Sequence, residues 1–327
     1  MRVSRSSLLS YSPMSSKQGK MPTSDPSGLY VGVELGGTKM VIASGTGGRS
    51  IAAREEVRTT DPDRTLHDVR AAIGTVANGR SIRAIGLASF GPIDLRTRSG
   101  RYGEILNTPK PGWSGVNILD TISLGRDVPV VIDTDVNAAV IAEKTWGAGR
   151  EYDDVAYLTV GTGVGGGIWA NGRLVHGANH PEIGHIRVPR QSEDNHVSSC
   201  PFHEDCLEGM ASGTAVRERW GSGAETLGHL TVEATRLEAW YLARGIAGMC
   251  SVVPIDIVII GGGLSKLPGL HAEVAMALDD ASGLYPPVPF AEGGPVITRP
   301  VLGDDAGVLG AIELARFATR GSAETPG

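Results

Sequence analysis

LYVGVELGGTKMVIA, residues 29–43, decides the fold. Leu29 to Leu35 is an apolar run of strand character, Gly36-Gly37 is a tight corner, and Lys39 to Ala43 is a second strand. Strand, glycine turn, strand predicts a β-hairpin. VAYLTVGTGVGGGIWA, residues 155–170, opens the second half in the same way. There Val155 to Val160 is the strand, Gly161 to Gly167 the glycine turn, and Ile168 to Val175 carries a further hairpin through Ala170-Asn171-Gly172. The repeated opening reads as a distant internal duplication and predicts two α/β domains, each starting with a glycine-cornered hairpin. A third corner, Gly261-Gly262-Gly263, closes the buried strand Ile255 to Ile260.

Between these corners the periodicities are those of an α/β protein. Arg64 to Val76 has helical spacing, with Leu66, Val69, Ile73 and Val76 on one face. Ile82 to Ala88 reads as a strand, and Val128 to Ile132 as one buried on both faces of a parallel sheet. Val136 to Trp146 and Leu237 to Cys250 are helices, and Gly307 to Ala318 is a last helix whose Gly307, Gly310, Ala311 and Ala315 suit close packing. The 327 residues fit about two domains. The 46 glycines, about twice ordinary usage, collect after apolar segments rather than in low-complexity runs.

Composition excludes several classes of function. Aromatic residues at 5% and a net charge of −6 argue against a nucleic-acid partner. No apolar stretch is long enough to span a bilayer. Three cysteines, Cys200, Cys206 and Cys250, make no disulfide framework and point to a reducing, cytoplasmic setting. Residues 1–28 are rich in Ser, Lys, Arg and Pro without an apolar h-region, so a disordered extension is expected there rather than a secretory signal.

Gly161-x-Gly163-x-x-Gly166 matches the dinucleotide fingerprint formally, but strand and turn follow it where that motif needs a helix. What remains is three glycine corners at strand ends. Glycine lets consecutive backbone N–H groups close on an anion, so the corners point to nucleotide phosphates held between two domains. Thr38 and Thr162 add hydroxyl donors, and Lys39 is within reach of a phosphate. Asp135 lies just past the strand ending at Ile132, where ligands of open α/β sheets bind. It is the candidate base that takes a hydroxyl proton in phosphoryl transfer, with helix capping as the plainer role for Asp133.

Cys200-x-x-His203-x-x-Cys206 puts three metal-binding side chains within seven residues, and His185 completes a zinc set of two thiolates and two imidazoles. His196 is a rival fourth ligand, and His180 and His176 are more distant ones. Cys250, alone in a helix, belongs to the core. Glu182 and Glu208 flank the cluster, and their carboxylates suit the hydroxyls of a neutral carbohydrate.

Over residues 29–317 the chain resembles the ROK family of sugar kinases (repressor, open reading frame, kinase), and within it the bacterial fructokinase branch. The resemblance rests on GVELGGTKM (32–40), ASFGPIDL (88–95), NTPKPGW (107–113), DTDVNAA (133–139), LTVGTGVGGGI (158–168), HPEIGHI (180–186), CPFHEDCLEGMASG (200–213) and IIGGGLSK (259–266). It implies an actin-like, ribonuclease-H-like ATPase fold with an interdomain cleft. The N-terminal domain would span 29–138 and the C-terminal one 139–305, with helix 306–318 packing back on the first. The family pattern implies Asp135 as base and Gly36, Gly37, Thr38, Lys39, Thr162, Gly163, Thr214, Gly261, Gly262 and Gly263 at the ATP site. It implies Glu182, His185, Glu208 and Asn137 at the sugar, and zinc on His185, Cys200, His203 and Cys206. ATP arrives with Mg2+, the γ-phosphoryl goes to the 6-hydroxyl of a hexose, and a homodimer is expected.

Three departures bear on the sugar. Glu34 stands where many relatives carry Asp, and C-x-x-H-x-x-C stands where many glucose kinases carry C-x-C-G-x-x-G-C; both are fructokinase forms. Thr134 replaces the usual Asn before the base, which removes an amide near the sugar. From NTPKPGW, Glu34 and the C-x-x-H-x-x-C run D-fructose is the expected substrate, while Thr134 leaves glucose, mannose or an N-acetyl-hexosamine as alternatives. The family's DNA-binding repressors carry about eighty residues of winged helix ahead of the kinase-like body; 28 precede the first strand here, so a non-catalytic regulator is the lesser alternative.

Overall fold

β1 (Leu29–Leu35) and β2 (Lys39–Gly45) pair antiparallel, with Leu35 opposite Met40 across the first glycine corner. The computed structural model describes residues 29–282 and 295–319; the extension expected at 1–28 lies outside them. β3 (Ala53–Arg58) continues the meander as an outer strand. α1 (Pro62–Ala77) follows, started by the Asp61 carboxylate, which accepts the Arg64 N–H, and by Pro62 in the first turn. Its Leu66, Val69, Ile73 and Val76 are buried, as the spacing predicts. β4 (Ile82–Ser89) runs parallel beside β1, then come α2 (Ile118–Ser123), β5 (Val130–Thr134) parallel to β4, and α3 (Asp135–Trp146).

The second half repeats this plan. β6 (Val155–Val160), β7 (Val164–Ala170) and β8 (Arg173–Leu174) form the antiparallel meander, and Asn171 and Gly172 turn its second hairpin with positive φ. α4 (Leu207–Ala211), α5 (Gly213–Trp220) and α6 (Thr231–Cys250) intervene before β9 (Ile257–Gly261), which runs parallel to β6. α7 (Leu270–Ser282), β10 (Val296–Thr298) and α8 (Ala306–Ala318) complete the described chain. The strand orders are β3-β2-β1-β4-β5 and β8-β7-β6-β9-β10, so the two sheets match strand for strand and sense for sense.

Glycine explains how the sheets come together. α8 lies on the first sheet, where a Cβ at Gly32 would sit 2.7 Å from the Ile312 backbone nitrogen and one at Gly86 would meet the Ala311 carbonyl. α3 lies on the second sheet, where a Cβ at Gly167 would sit 2.8 Å from the Val136 carbonyl oxygen. The two helices touch in the middle, Gly310 against the Ala138 backbone. The result is a sheet–helix–helix–sheet stack in which the crossing points are backbone on backbone. α1 and α2 cover the outer face of the first sheet, and α6 and α7 that of the second, each around its own apolar core.

Two expectations need correction. The Val128 to Ile132 run is not buried on both faces: β5 is an edge strand, and Val130 and Val131 are half-buried. The glycine turn expected at 161–167 is shorter, since Gly165, Gly166 and Gly167 already lie in β7. They are strand residues without side chains because α3 and Ile183 occupy that space. Among the described residues no helix is long and apolar enough to cross a membrane.

Candidate active site

A cleft of about 570 Å³ opens between the two sheets. Gly36, Gly37, Thr38, Lys39 and Asp135 line it from one side and Thr159, Gly262, Ser265 and Lys266 from the other. The first corner is held by the Gly36 N–H donating to the Lys39 carbonyl and by Thr59, whose hydroxyl donates to the Gly36 carbonyl at 3.0 Å. Gly37, Thr38 and Lys39 are exposed. Lys39 lines the cleft but its ammonium donates to Glu56 at 2.7 Å. At the third corner Gly262 turns with φ of 85°, a conformation that favours glycine, while Gly261 and Gly263 stay outside the lining.

Asp135 is the first residue of α3, and its carboxylate accepts its neighbour Val136's N–H at 2.9 Å. Burial pushes its pKa up to about 6, against the pull of that N–H, of Lys110 and of His180. Glu34, at the end of β1, shares the cleft and is raised to about 7, first by burial and then by the Asp135 charge. The carboxylate expected to act as base is therefore half-protonated near pH 6, in the range where proton acceptance from a hydroxyl is effective.

The turn into α3 is heavily bonded. Thr134 Oγ1 caps the helix by accepting the Asn137 N–H at 3.1 Å. Asp133, offered above as the capping residue, instead accepts from the Thr134 N–H, Asn137 Nδ2 and His176 Nε2 at 2.7, 2.7 and 3.0 Å. That bond raises the His176 pKa. Asn137 is fully buried, with its Oδ1 against the glycine strand and unpartnered. Its amide nitrogen donates to Asp133.

The second corner lies beside the cleft and is braced from α5. The Gly213 N–H donates to the Gly161 carbonyl at 2.6 Å, and Thr214 Oγ1 to the Thr162 carbonyl at 2.8 Å. Glu208 reaches across to accept the Val164 N–H at 3.0 Å, packed against Gly163. Glu182 is exposed, 3.5 Å from His180 Nδ1. His180 itself accepts the Ile93 N–H at 3.2 Å, which ties this loop to the segment that follows β4.

His185, Cys200, His203 and Cys206 converge, their ligand atoms all within 4.8 Å of one another. Cys200 Sγ lies 3.9 Å from His185 Nδ1 and 3.6 Å from His203 Nδ1, and Cys206 Sγ 3.7 Å from His185 Nδ1. A tetrahedral zinc with ordinary bond lengths has S–N edges of about 3.5 Å, so the donor set fits that ion. Burial lifts the Cys206 thiol to about 11, and a cation would be needed to hold it as thiolate. The rival histidines are engaged elsewhere: His196 with Ser199, His176 with Asp133, His180 with Ile93.

The sequence reading missed Arg54, Arg299, Asp304 and Lys266, which also line the cleft. The signal for Lys266 was available, three positions past Gly263 in IIGGGLSK. Gly303-Asp304-Asp305 before a helix was another, whereas Arg54 in a charged outer strand and Arg299 after β10 gave none.

A profile of the ROK family matches residues 30–318. The chain belongs to the ROK family. Among ROK relatives, the fructokinase of Zymomonas mobilis is 36% identical over 293 residues, 88% of this chain and 96% of that one. The glucokinase of Thermotoga maritima is 27% identical over 324 residues, covering 88% and 96%. A crystal structure of a ROK family glucokinase from Streptomyces griseus, in complex with glucose and AMPPNP, superposes with a TM-score of 0.72 at 26% identity, covering 89% of this chain and all of that one. The fold is thus the actin-like, ribonuclease-H-like arrangement of ROK proteins.

Proposed function

We propose that this ROK protein is an ATP-dependent hexose kinase that phosphorylates the 6-hydroxyl, with D-fructose as preferred substrate. The observation that carries the reading is the cleft: the corners at Gly37–Thr38 and at Gly262 both line it, and so does Asp135, so glycine-corner amides and a carboxylate share one cavity. Amides so placed bind phosphate oxygens. Asp135 accepts the 6-hydroxyl proton as that oxygen attacks the γ-phosphorus, and the bond to the ADP oxygen breaks. Mg2+ arrives with ATP, and Glu34 and Asp304 are the carboxylates lining the cleft on that side.

Residues 29–138 and 139–305 are the two lobes in this reading, with 306–318 returning to the first. Glu182, His185 and Glu208 hold the sugar hydroxyls, and zinc on His185, Cys200, His203 and Cys206 supplies a rigid clamp for that loop. Fructose is favoured over glucose by the higher identity to the Zymomonas mobilis fructokinase and by NTPKPGW, Glu34 and the C-x-x-H-x-x-C run. The family resemblance is also the ground for a cytoplasmic homodimer. A panel of fructose, glucose, mannose and N-acetylmannosamine with ATP and Mg2+ decides it. The highest kcat/KM should fall on fructose, and a preference of about tenfold for any other sugar overturns that choice.

A further inference from the structure

Lys110, in the loop between β4 and α2, has no ion-pair partner among the described residues. Its Nζ stands 3.4 Å from the centre of the Phe90 ring, and a Cβ at Gly37 would lie 3.1 Å from its Cε and 3.3 Å from its Nζ. The loop that carries it is anchored by Trp113, which is buried and meets Phe90 edge-on at 5.3 Å. Lys110 is half-buried, and no described carboxylate lies within ion-pair distance of it. Burial pulls its pKa down and the Asp135 charge pulls it back up. An aromatic face supplies only part of what a half-dehydrated ammonium loses.

We propose that Lys110 is a catalytic residue whose ammonium meets the phosphoryl group in transit between the Gly37 corner and the oxygen facing Asp135. This rests on the kinase reading above. The phosphorus–oxygen bond to ADP breaks, the bond to the sugar oxygen forms, the hydroxyl proton goes to Asp135, and Lys110 keeps its own proton throughout. Its part is to offset charge on the equatorial oxygens of the transferring group, the role that fixed cations play in phosphoryl transfer. The Phe90 ring holds the ammonium in place without neutralising it, which a carboxylate would do.

The test is steady-state kinetics of the full chain with its best hexose, for wild type, Lys110→Met and Lys110→Arg. Lys110→Met should lower kcat by about 10²–10³-fold, with both KM values changing less than about threefold and an unchanged melting temperature; Lys110→Arg should recover about tenfold of the loss. Affinity for hexose 6-phosphate, by titration calorimetry, should fall in Lys110→Met while affinity for the free hexose holds. A kcat within threefold of wild type, or a loss confined to the KM of the sugar, overturns the proposal and leaves the kinase reading standing. If Lys110→Met melts lower than wild type, the comparison passes to Lys110→Arg and Lys110→Gln, and equal kcat in those two overturns it. A wild type that phosphorylates no hexose ends both.

Discussion

Replacing Asp135 by asparagine should strengthen the protein while stopping it. The carboxyl stands at about 6 in the folded chain against 3.8 ordinarily, mainly because burial disfavours its charged form. Between those two values the folded state binds more protons than the unfolded one, so this group's contribution to stability falls as pH rises. Above pH 7 the full difference of about two pH units applies, an upper bound of about 3 kcal/mol at 1.36 kcal/mol per unit. At pH 5 roughly half remains, and below pH 4 almost none. Asparagine is nearly isosteric, carries no charge, and its oxygen still accepts the Val136 N–H. The melting temperature of Asp135→Asn should therefore exceed that of wild type by about 4–8 °C at pH 8, taking about 2–4 °C per kcal/mol and a discount for partial exposure. The gap should close steadily towards pH 4. Scanning calorimetry at pH 4, 6 and 8 measures it, alongside kcat with ATP and hexose, which should fall by at least about 10³-fold. A variant that melts at or below wild type at pH 8 would refute the claim that the folded chain holds a strained carboxylate there.

Further outcomes follow from the metal cluster and the helix crossing. As purified, the protein should carry about one zinc per chain, and Cys206→Ser should lose it with a lowered melting temperature; equal zinc by elemental analysis in both proteins would remove the site. Gly310→Ala should destabilise by about 3 kcal/mol, or accumulate insoluble, because its new methyl group meets the Ala138 backbone, which has no side chain to swing aside. A melting temperature within 1 °C or so of wild type would show that the crossing is looser than the structure has it. Wild-type kcat/KM should rise with pH through about 6, the Asp135 value, and then level.

The main strands were legible because apolar runs such as Val155–Val160 and Ile257–Ile260 end at glycine, and both are buried in the sheet. β3, Ala-Arg-Glu-Glu-Val-Arg, was silent: an outer strand facing water on most of its length carries charge where pattern reading looks for apolar alternation. Gly165 to Gly167 were misread as turn for the opposite reason. A strand stripped of side chains to admit a helix leaves no pattern. At the site, Asp135 and the first corner could be found from local context alone. Arg299 could not, since its place at the cleft depends on a loop whose course no local rule fixes, and no local pattern shows that Asn137 is buried with its amide on Asp133.

The contact of Gly310 with the Ala138 backbone also bears on how the chain can move. It lies within the broad packing of α3 against α8 between the two sheets, where an axis for relative motion of the lobes would pass. Asp135 is three residues from Ala138 along α3, about 4.5 Å at the helical rise. A 10° swing about that point carries its Cα by only about 0.8 Å, while the outer rims of the lobes travel several times farther. A swing of the lobes about that axis would leave Asp135 almost stationary at the pivot.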